Sequence, residues 1–479
     1  MVVERDEHCG AGGTARRHRP SERIYGRPST VRVVRRSRLL LRAVLASLLV
    51  LSLAGTAAGY AFWALDREGG GTAFEVGERA APPANGTTVV TTSMYGNDFL
   101  VAFAPNGTVR YYNDSRDIYD DVDPSPAGDA TVTYMATDQR ANCQATEPCN
   151  GNVVERVNLT TGETEVVFTW KTAEARNHWH DVDRIDEDRW LVADIALDRA
   201  FVYNTSSGII EWEWSAQADF PVTGGGLFPG DWTHINDVEL LPDGRVMVSL
   251  RNQDSVAFVD RERGYQPGWT LGEDDNRSVL FEQHNPDYLP GENAGPAVVV
   301  ADSENNRIVE YEREDGSWNR TWRWSDVELQ WPRDADRLPD GDTLITDTNG
   351  GRVFEVNESG AIVWQVDMQG AYEAERLGTG PESAGGPTAT RANLESRTAT
   401  SDAPARESSL AGPVYEVAGV WKDLLPSMVV NPVLYVLPAW VGYPELLAIV
   451  SGLLVAVLWG AVEFHWSVWS VRSPFVTED

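Results

Sequence analysis

Residues 231–251 read DWTHINDVELLPDGRVMVSLR, and the fold follows from lining this stretch up with the rest of the chain. Anchored on the turn Pro242-Asp243-Gly244, it aligns without gaps to HWHDVDRIDEDRWLVAD from His178, EQHNPDYLPG from Glu282 and WPRDADRLPDGDTLITD from Trp331. Two weaker copies, YDDVDP around Asp120 and AYEAERLG around Tyr372, share the register. Each copy carries an acidic residue (Asp123, Asp183, Glu239, Asp287, Asp336, Glu375), a tight turn in most cases, and then a β-rich run such as Thr343 to Thr346. Short strands and Gly/Asp turns recurring every ~40–60 residues mark a β-propeller, one four-stranded sheet per repeat. The copies predict an all-β, six-bladed β-propeller.

The innermost strand of each blade lines the channel, and residues two apart share a face. One ring of side chains aimed at the axis is therefore Asp120, His180, Asn236, His284, Arg333 and Tyr372; the position two residues earlier gives His178, His234, Glu282 and Trp331. Of seven histidines, His8, His18 and His465 lie towards the chain ends, and the other four all fall at these two register positions. A lone strand histidine is ordinarily a hydrogen-bonded structural residue. Four converging imidazoles are costly to bury without a ligand and point to a functional channel.

A second departure from the repeat agrees. Asp194/Arg199, Asp302/Arg307 and Asp347/Arg352 share the spacing Asp-x4-Arg, which reads as a structural ion pair. In the central repeat Leu250 and Ser255 replace both partners, and Arg251 appears one place later. An arginine gained where the structural pair is lost suits a ligand better than the scaffold. Trp179, Trp232, Trp331 and Tyr372 are placed to grip an aromatic group or, equally, to pack between blades.

The chain has 479 residues and a net charge of −32, from 72 acidic and 40 basic residues. Such a surface repels nucleic acid, which is excluded as a partner, and matches adaptation to strong salt. Residues 1–42 form an Arg-rich tail, and residues 43–65 an uncharged run long enough to span a bilayer. Basic before and acidic after, this run places the tail inside and the propeller outside, with a cleaved twin-arginine-type export signal as the alternative. Residues 66–86 are a linker, 87–379 the propeller, 380–412 a Ser/Thr/Gly/Pro tether, 413–443 an interfacial or re-entrant segment, 444–464 a second span and 465–479 a tail. Eight Asn-x-Ser/Thr sequons, from Asn85 to Asn357, suggest an exported, glycosylated domain. Cys143 and Cys149 read as a small loop disulfide permitted outside the cell. No metal or nucleotide cofactor motif stands out, and the Gly-rich 223–230 reads as a mobile loop over the channel.

DWTHIND, the SLRNQDSVAFVD that follows, and WTLG…FEQHNPDYL resemble, in order and spacing, the motifs of the PAPS-independent arylsulfate sulfotransferases: His-x-Asn after a Trp, Ser-x-Arg-x-Gln, and Gln-His. The resemblance covers about 87–377 and leaves out the membrane segments, so the chain looks like a membrane-anchored, haloarchaeal-type member. It implies transfer of a sulfuryl group from an aryl sulfate to a phenol, without cofactor, through a sulfated histidine. It further implies His284 as nucleophile, His234 and Arg251 on the sulfuryl oxygens and the proton, and His180 with His178 as the further histidine site. Asn236, Arg333, Trp232 and Tyr372 complete the expected substrate pocket. Other readings are a non-catalytic binding or adhesion propeller, or a hydrolase or lyase acting on an anion.

Overall fold

The computed structural model describes residues 30–67, 74–94, 98–125, 130–139, 149–172, 178–291, 296–380, 385–398, 425–438 and 440–467. Six antiparallel sheets form the six blades of a propeller. Blade 2 runs outward from Ile118–Pro124, blade 3 from Val182–Arg184, blade 4 from Ile235–Leu240, blade 5 from His284–Leu289 and blade 6 from Pro332–Arg337. Blade 1 closes the circle: its inner strand, Ala371–Arg376, comes from the end of the propeller and pairs with Thr88–Thr92 from its beginning. The last repeat therefore completes the first sheet and closes the ring of blades.

A buried apolar cluster fills the space between each pair of adjacent blades, as between blades 3 and 4, where Leu191, Ala193, Trp214 and Trp232 meet Ile235, Val246 and Val248. The inner strands of neighbouring blades share no sheet, so their backbone N–H groups need other partners. Acids of the inner strands supply them, from the recurring position (Asp183, Glu239) and from two residues before it (Asp181, Asp334, Glu373). Asp183 accepts from Leu240 N at 2.8 Å, Glu239 from Tyr288 N at 2.9 Å and Asp334 from Ala374 N at 3.0 Å. Asp181 does the same for Val238 N, and Glu373 for Val122 N at 3.3 Å. The carboxylates thus stitch one blade to the next around the channel.

On the opposite edge of each sheet's second strand the Asp-x4-Arg pairs form as buried ion pairs: Asp194–Arg199 at 2.8 Å, Asp302–Arg307 at 2.5 Å and Asp347–Arg352 at 2.8 Å. The turn between the two partners ends on a left-handed residue, Asp198 (φ 51), Asn306 (φ 48) or Gly351 (φ 71), and the equivalent turn of blade 4, which lacks the pair, ends on Asp254 (φ 49). Asp, Asn and Gly are the residues that visit this region cheaply.

Among the described residues four α-helices accompany the propeller: α1 (Thr30–Arg67), α2 (Ala389–Ala392), α3 (Ser427–Val436) and α4 (Tyr443–Trp466). Within α1 and α4 lie two stretches long and apolar enough to cross a membrane, Arg36–Ala61 and Tyr443–Trp466. Residues 1–54 and 450–479 form one compact unit and 55–449 another. In the first, Arg42 pairs with Glu463 at 2.5 Å, so the N-terminal part of α1 lies beside the C-terminal part of α4 and the two run antiparallel. In the second, α3 sits on the propeller with its polar residues inward. Asn431 is fully buried, donates to Glu304 Oε2 at 3.0 Å and accepts from Gln330, while its carbonyl accepts from Asn349 Nδ2 at 3.1 Å. Tyr435 OH reaches Ser93 O at 2.7 Å.

Four of the sequons have a structural role in turns. Thr108, Ser206, Ser278 and Ser359 each donate their hydroxyl to the Asn two residues earlier, at 2.8–2.9 Å, in the Asx turns that join strands or precede them. The repeated turn chemistry of the blades by itself produces the Asn-x-Ser/Thr pattern there. Cys149 is disulfide-bonded, and Cys143 lies outside the described residues.

Candidate active site

Every inner strand but that of blade 3 departs from ideal pairing at the level of the ring. In these five blades the strand slips register with its neighbour there. In three of them the unpaired residue is itself a ring residue, Asp120, Asn236 or Arg333. A β-bulge of this kind re-aims a side chain out of the pleat, which is why bulges gather next to binding sites. Two residues before Asn236, His284 and Arg333 the backbone turns left-handed at His234 (φ 49), Glu282 (φ 47) and Trp331 (φ 59).

The ring histidines meet. His178 and His180 stand edge to face with centroids 4.6 Å apart, His180 lies 5.2 Å from His234, and Tyr372 bridges to His180 at 5.7 Å and to His284 at 6.2 Å. Arg333 lies with its Cζ 3.9 Å over Trp331 and 5.5 Å over Tyr372, and its Nη1 contacts His284 Nε2. Tyr372 OH, Arg333 Nε, Arg251 Nε and Asn236 Oδ1 are buried and without a hydrogen-bond partner among the described residues. A cluster of buried unpaired polar atoms around one centre is costly unless something polar binds there.

The tautomer of His284 follows from its partners. Its Nδ1 lies 2.8 Å from Ser303 Oγ. Ser303 has one proton and a carbonyl, Pro332 O, at 2.7 Å. The equivalent hydroxyl in the next blade, Thr348, makes the equivalent bond to Ala371 O at 2.7 Å, so the repeat commits this proton to the neighbouring blade. The Ser303 oxygen is left to accept, Nδ1 carries the hydrogen, and the lone pair sits on Nε2, facing the guanidinium. Burial, then Arg333 and Arg251, hold His284 well below the usual imidazole range, so the ring is neutral.

His234 is oriented by Asp231, its Nδ1 2.7 Å from Oδ1. Burial lowers His234 against the pull of that carboxylate, with Arg251 adding to the effect; Asp231, despite its own burial, is drawn well below the usual carboxylate range by His234. Nε2 of His234 is thus a free base near neutrality. Asp120 lies 3.2 Å from His178 Nε2 and 3.4 Å from His180 Nδ1, and burial pushes His180 down to about 3. Arg251 pairs with Glu282 and donates to Asn252 Oδ1 at 2.9 Å. Among the described residues four groups have the spacing to hold a metal ion, with ligand atoms within 4.8 Å; two of them come from inner strands and the site, Asp120 with His178 and His180, and Asp287 with Asp334 and Asp336.

The polar residues around the sequence motifs hold this arrangement. Gln283 Nε2 donates to Ser249 Oγ at 3.2 Å and to Ser255 O at 2.9 Å, and Asn236 Nδ2 donates to Gln283 O at 2.9 Å, locking blades 4 and 5 together beneath His284. The structure therefore brings His178, His180, His234, Asn236, Arg251, His284, Arg333 and Tyr372 to one place. Trp232 is a correction: it is fully buried between blades 3 and 4, with its indole N–H on Gly224 O at 2.8 Å, because the left-handed turn at His234 breaks the two-residue alternation that would have put it with the histidines. Trp179 is likewise core. The Gly-rich 223–230 is a pinned loop, with Gly225 N bonded to Asp274 and Gly226 N to Trp232 O at 2.9 Å. A side chain at Gly226 would strike the Asp231 carbonyl, which is the reason for glycine there. Sequence reasoning passed over Asp231, Ser303 and the Tyr435 roof. Ser303 was within reach, since it occupies in blade 5 the place that Arg251 occupies in blade 4.

The family model described as arylsulfotransferase (ASST) matches residues 203–369, a span that holds His234, Arg251, His284 and Arg333 and lies outside Asp120, His178, His180 and Tyr372. No curated protein matches this sequence. Solved structures with a similar chain path include a protein of unknown function from Bacteroides caccae, at 11% identity and TM-score 0.44, covering 61% of this chain and 98% of that one. The periplasmic gluconolactonase of Pseudomonas aeruginosa follows at 14% identity and TM-score 0.39, over 62% and 99%. Virginiamycin B lyase from Staphylococcus aureus matches at 11% identity and TM-score 0.37, over 60% and 84%.

Proposed function

We propose that this protein is an aryl sulfate sulfotransferase that passes a sulfuryl group from an aryl sulfate to a phenol through a sulfated His284. The observation that carries the reading is the neutral imidazole whose Nδ1–H is held by Ser303 and whose Nε2 lone pair faces a guanidinium. The match to the arylsulfotransferase family model across this part of the chain supports it.

In the first half-reaction Arg333 releases Nε2 and turns to the sulfuryl oxygens, with Arg251 on the other side. Nε2 attacks sulfur, the S–O bond to the ring breaks, and its electron pair leaves with the phenolate. The imidazole, now positively charged, keeps its Nδ1–H on Ser303. In the second half the acceptor hydroxyl gives its proton to His234 Nε2, its oxygen attacks sulfur, and the S–N pair returns to His284. The proton then passes from His234 to the departed phenolate or to water. Charge that builds on the sulfuryl oxygens meets fixed cationic donors in a water-poor site, where they act most strongly. Asp231 keeps His234 in the tautomer that can accept a proton. His180, His178, Asn236 and Tyr372 supply the remaining contacts to the bound group. We further read the propeller as an extracellular domain, residues 87–379, held to the membrane by α1 and α4.

The test is the mass of the intact protein after exposure to 4-nitrophenyl sulfate without acceptor. One added sulfuryl group on the peptide containing His284 is expected, with its loss in His284→Ala. A parent protein that releases nitrophenolate and stays unmodified would overturn the reading.

A further inference from the structure

We propose that the mouth of the channel works against the surface of the lipid bilayer, and that the acceptor is a membrane-borne amphiphile presenting its hydroxyl at headgroup level. The identity of the transferred group rests on the sulfotransferase reading above; the placement of the mouth does not.

The roof helix α3 is amphipathic in the reverse sense. Its polar Asn431 and Tyr435 point into the propeller, while Val429 (60% exposed), Val436 (68%) and Val433 point away from it. A helix on a water-facing surface buries its apolar stripe; one that turns valines outward is matched to an apolar surrounding. The roof stands on blades 5, 6 and 1, through Glu304, Gln330, Asn349 and Ser93, with Tyr435 5.3 Å from Trp331 over the Arg333 side of the site.

Two described segments of the same rim carry exposed apolar side chains. The turns Ile195–Leu197, Arg251–Gln253 and Ser303–Asn305 are repeat equivalents and so lie on one face, the face on which Glu304 meets α3. On that face Leu197 is exposed, and the loop beside Asp231 and His234 carries Leu227 at 87% exposure, with Phe228 and Val222 also exposed. Between this loop and the roof helix lie the parts of the site that are open: the side chains of His234 and Arg251 are 19% and 15% exposed, whereas His284 is fully buried.

The chain itself ties this rim to a bilayer. Only residues 437–442 separate α3 from α4, a link that spans at most about 20 Å. The link is closed up further, because Val430 and Leu434 of α3 pack on Tyr443, Leu446 and Leu447 in the opening turns of α4. The helix that is long and apolar enough to cross a membrane therefore starts from the roof of the site. An acceptor in the lipid meets His234 and His284 without leaving the membrane, past Leu227 and Val429.

The experiment uses the full chain reconstituted in phosphatidylcholine vesicles, with 4-nitrophenyl sulfate as donor and two acceptors sharing one phenol head. One is water-soluble, and the other carries a long acyl chain that keeps it in the vesicle. The lipid-borne phenol should be sulfated at least about tenfold faster at equal bulk concentration, because confinement raises its effective concentration at the mouth. The outward substitutions Val429→Glu and Leu227→Ser should remove that advantage and leave transfer to the soluble phenol unchanged. Transfer to the soluble phenol alone, or an advantage untouched by the two substitutions, sinks the proposal. Transfer to neither phenol would count against sulfotransfer, and a separate measurement then decides the placement. A fluorophore on Leu227→Cys, in a Cys9→Ser background, should be quenched by spin-labelled phosphatidylcholine in the vesicle. Absence of quenching overturns the membrane-facing mouth whatever the chemistry proves to be.

Discussion

Ser303→Ala is the substitution that most directly probes how His284, the proposed nucleophile, is prepared. Ser303 is fully buried behind a fully buried His284, and its oxygen reaches Pro332 O at 2.7 Å, Ala301 O at 3.3 Å and His284 Nδ1 at 2.8 Å. Alanine leaves a buried N–H and a buried carbonyl unpaired, at about 1–3 kcal/mol for each such group. The imidazole also loses its reason to carry the proton on Nδ1. Moving it to Nε2 abolishes the nucleophile, so the reactive tautomer becomes a minor state that must be regained before each attack. At ~1.4 kcal/mol per tenfold, the phenolate burst should slow by about 10–100-fold. Donor affinity should change little, since Ser303 lies behind the ring and away from the sulfuryl group. Ser303→Thr keeps the oxygen and should restore the burst, as Thr348 already occupies the equivalent place in blade 6. The assay is a stopped-flow burst of nitrophenolate with circular dichroism to verify folding. A folded Ser303→Ala that bursts within about twofold of the parent would refute the tautomer argument.

The pH profile of the same burst should stay flat as pH falls through 6.5: a nucleophile is active when neutral, and burial with Arg333 and Arg251 holds His284 well below 6.5, so its active form persists on the acid side. A burst that titrates away near pH 6.5 contradicts this environment. Gly226→Ala should push on the Asp231 carbonyl and, through it, on the His234 partner, slowing transfer to the acceptor by about tenfold or more while sparing the burst. Equal slowing of both half-reactions in single-turnover measurements would remove Asp231 and His234 from the acceptor step.

Much of the fold is legible because a propeller repeats its local chemistry. The blade register can be counted from the Pro-Asp-Gly turn, and the ring residues then fall out by position: Asp120, Asn236 and Arg333 do face the axis, on bulges that a sequence cannot display but that preserve the count. The recurring acid was readable as a position and opaque as a role. Its partner is an N–H on the next blade, some fifty residues away, as in Asp183 with Leu240. Trp232 was misplaced for a local reason, since strict alternation fails where His234 turns left-handed. The sequons have a second source, since Asn106, Asn204, Asn276 and Asn357 accept from the hydroxyl two residues on, which is the same three-letter pattern in the service of a turn. The roof was the least readable element. An apolar segment with a proline reads as interfacial, and nothing local reveals that Asn431 fits between Glu304 and Gln330.

The left-handed residues separate scaffold from site. Where the repeat needs a positive φ for its own sake, in the turn after the second strand, it uses Asp198, Asp254, Asn306 and Gly351, which tolerate it. Where the inner strand begins, it places His234, Glu282 and Trp331 in the same conformation, residues for which it costs of order 1–3 kcal/mol each. Packing alone would favour glycine or asparagine at those positions, so the strain is held in place for what the side chains do. His234 meets Asp231, Glu282 takes Arg251, and Trp331 carries Arg333 on its face beneath Tyr435. In each case the strained residue grips or forms one of the charged or basic groups around the pocket. The energy stored in three backbone turns thereby fixes the positions of two guanidiniums and one imidazole before any ligand arrives, which is what a site that stabilises developing negative charge requires.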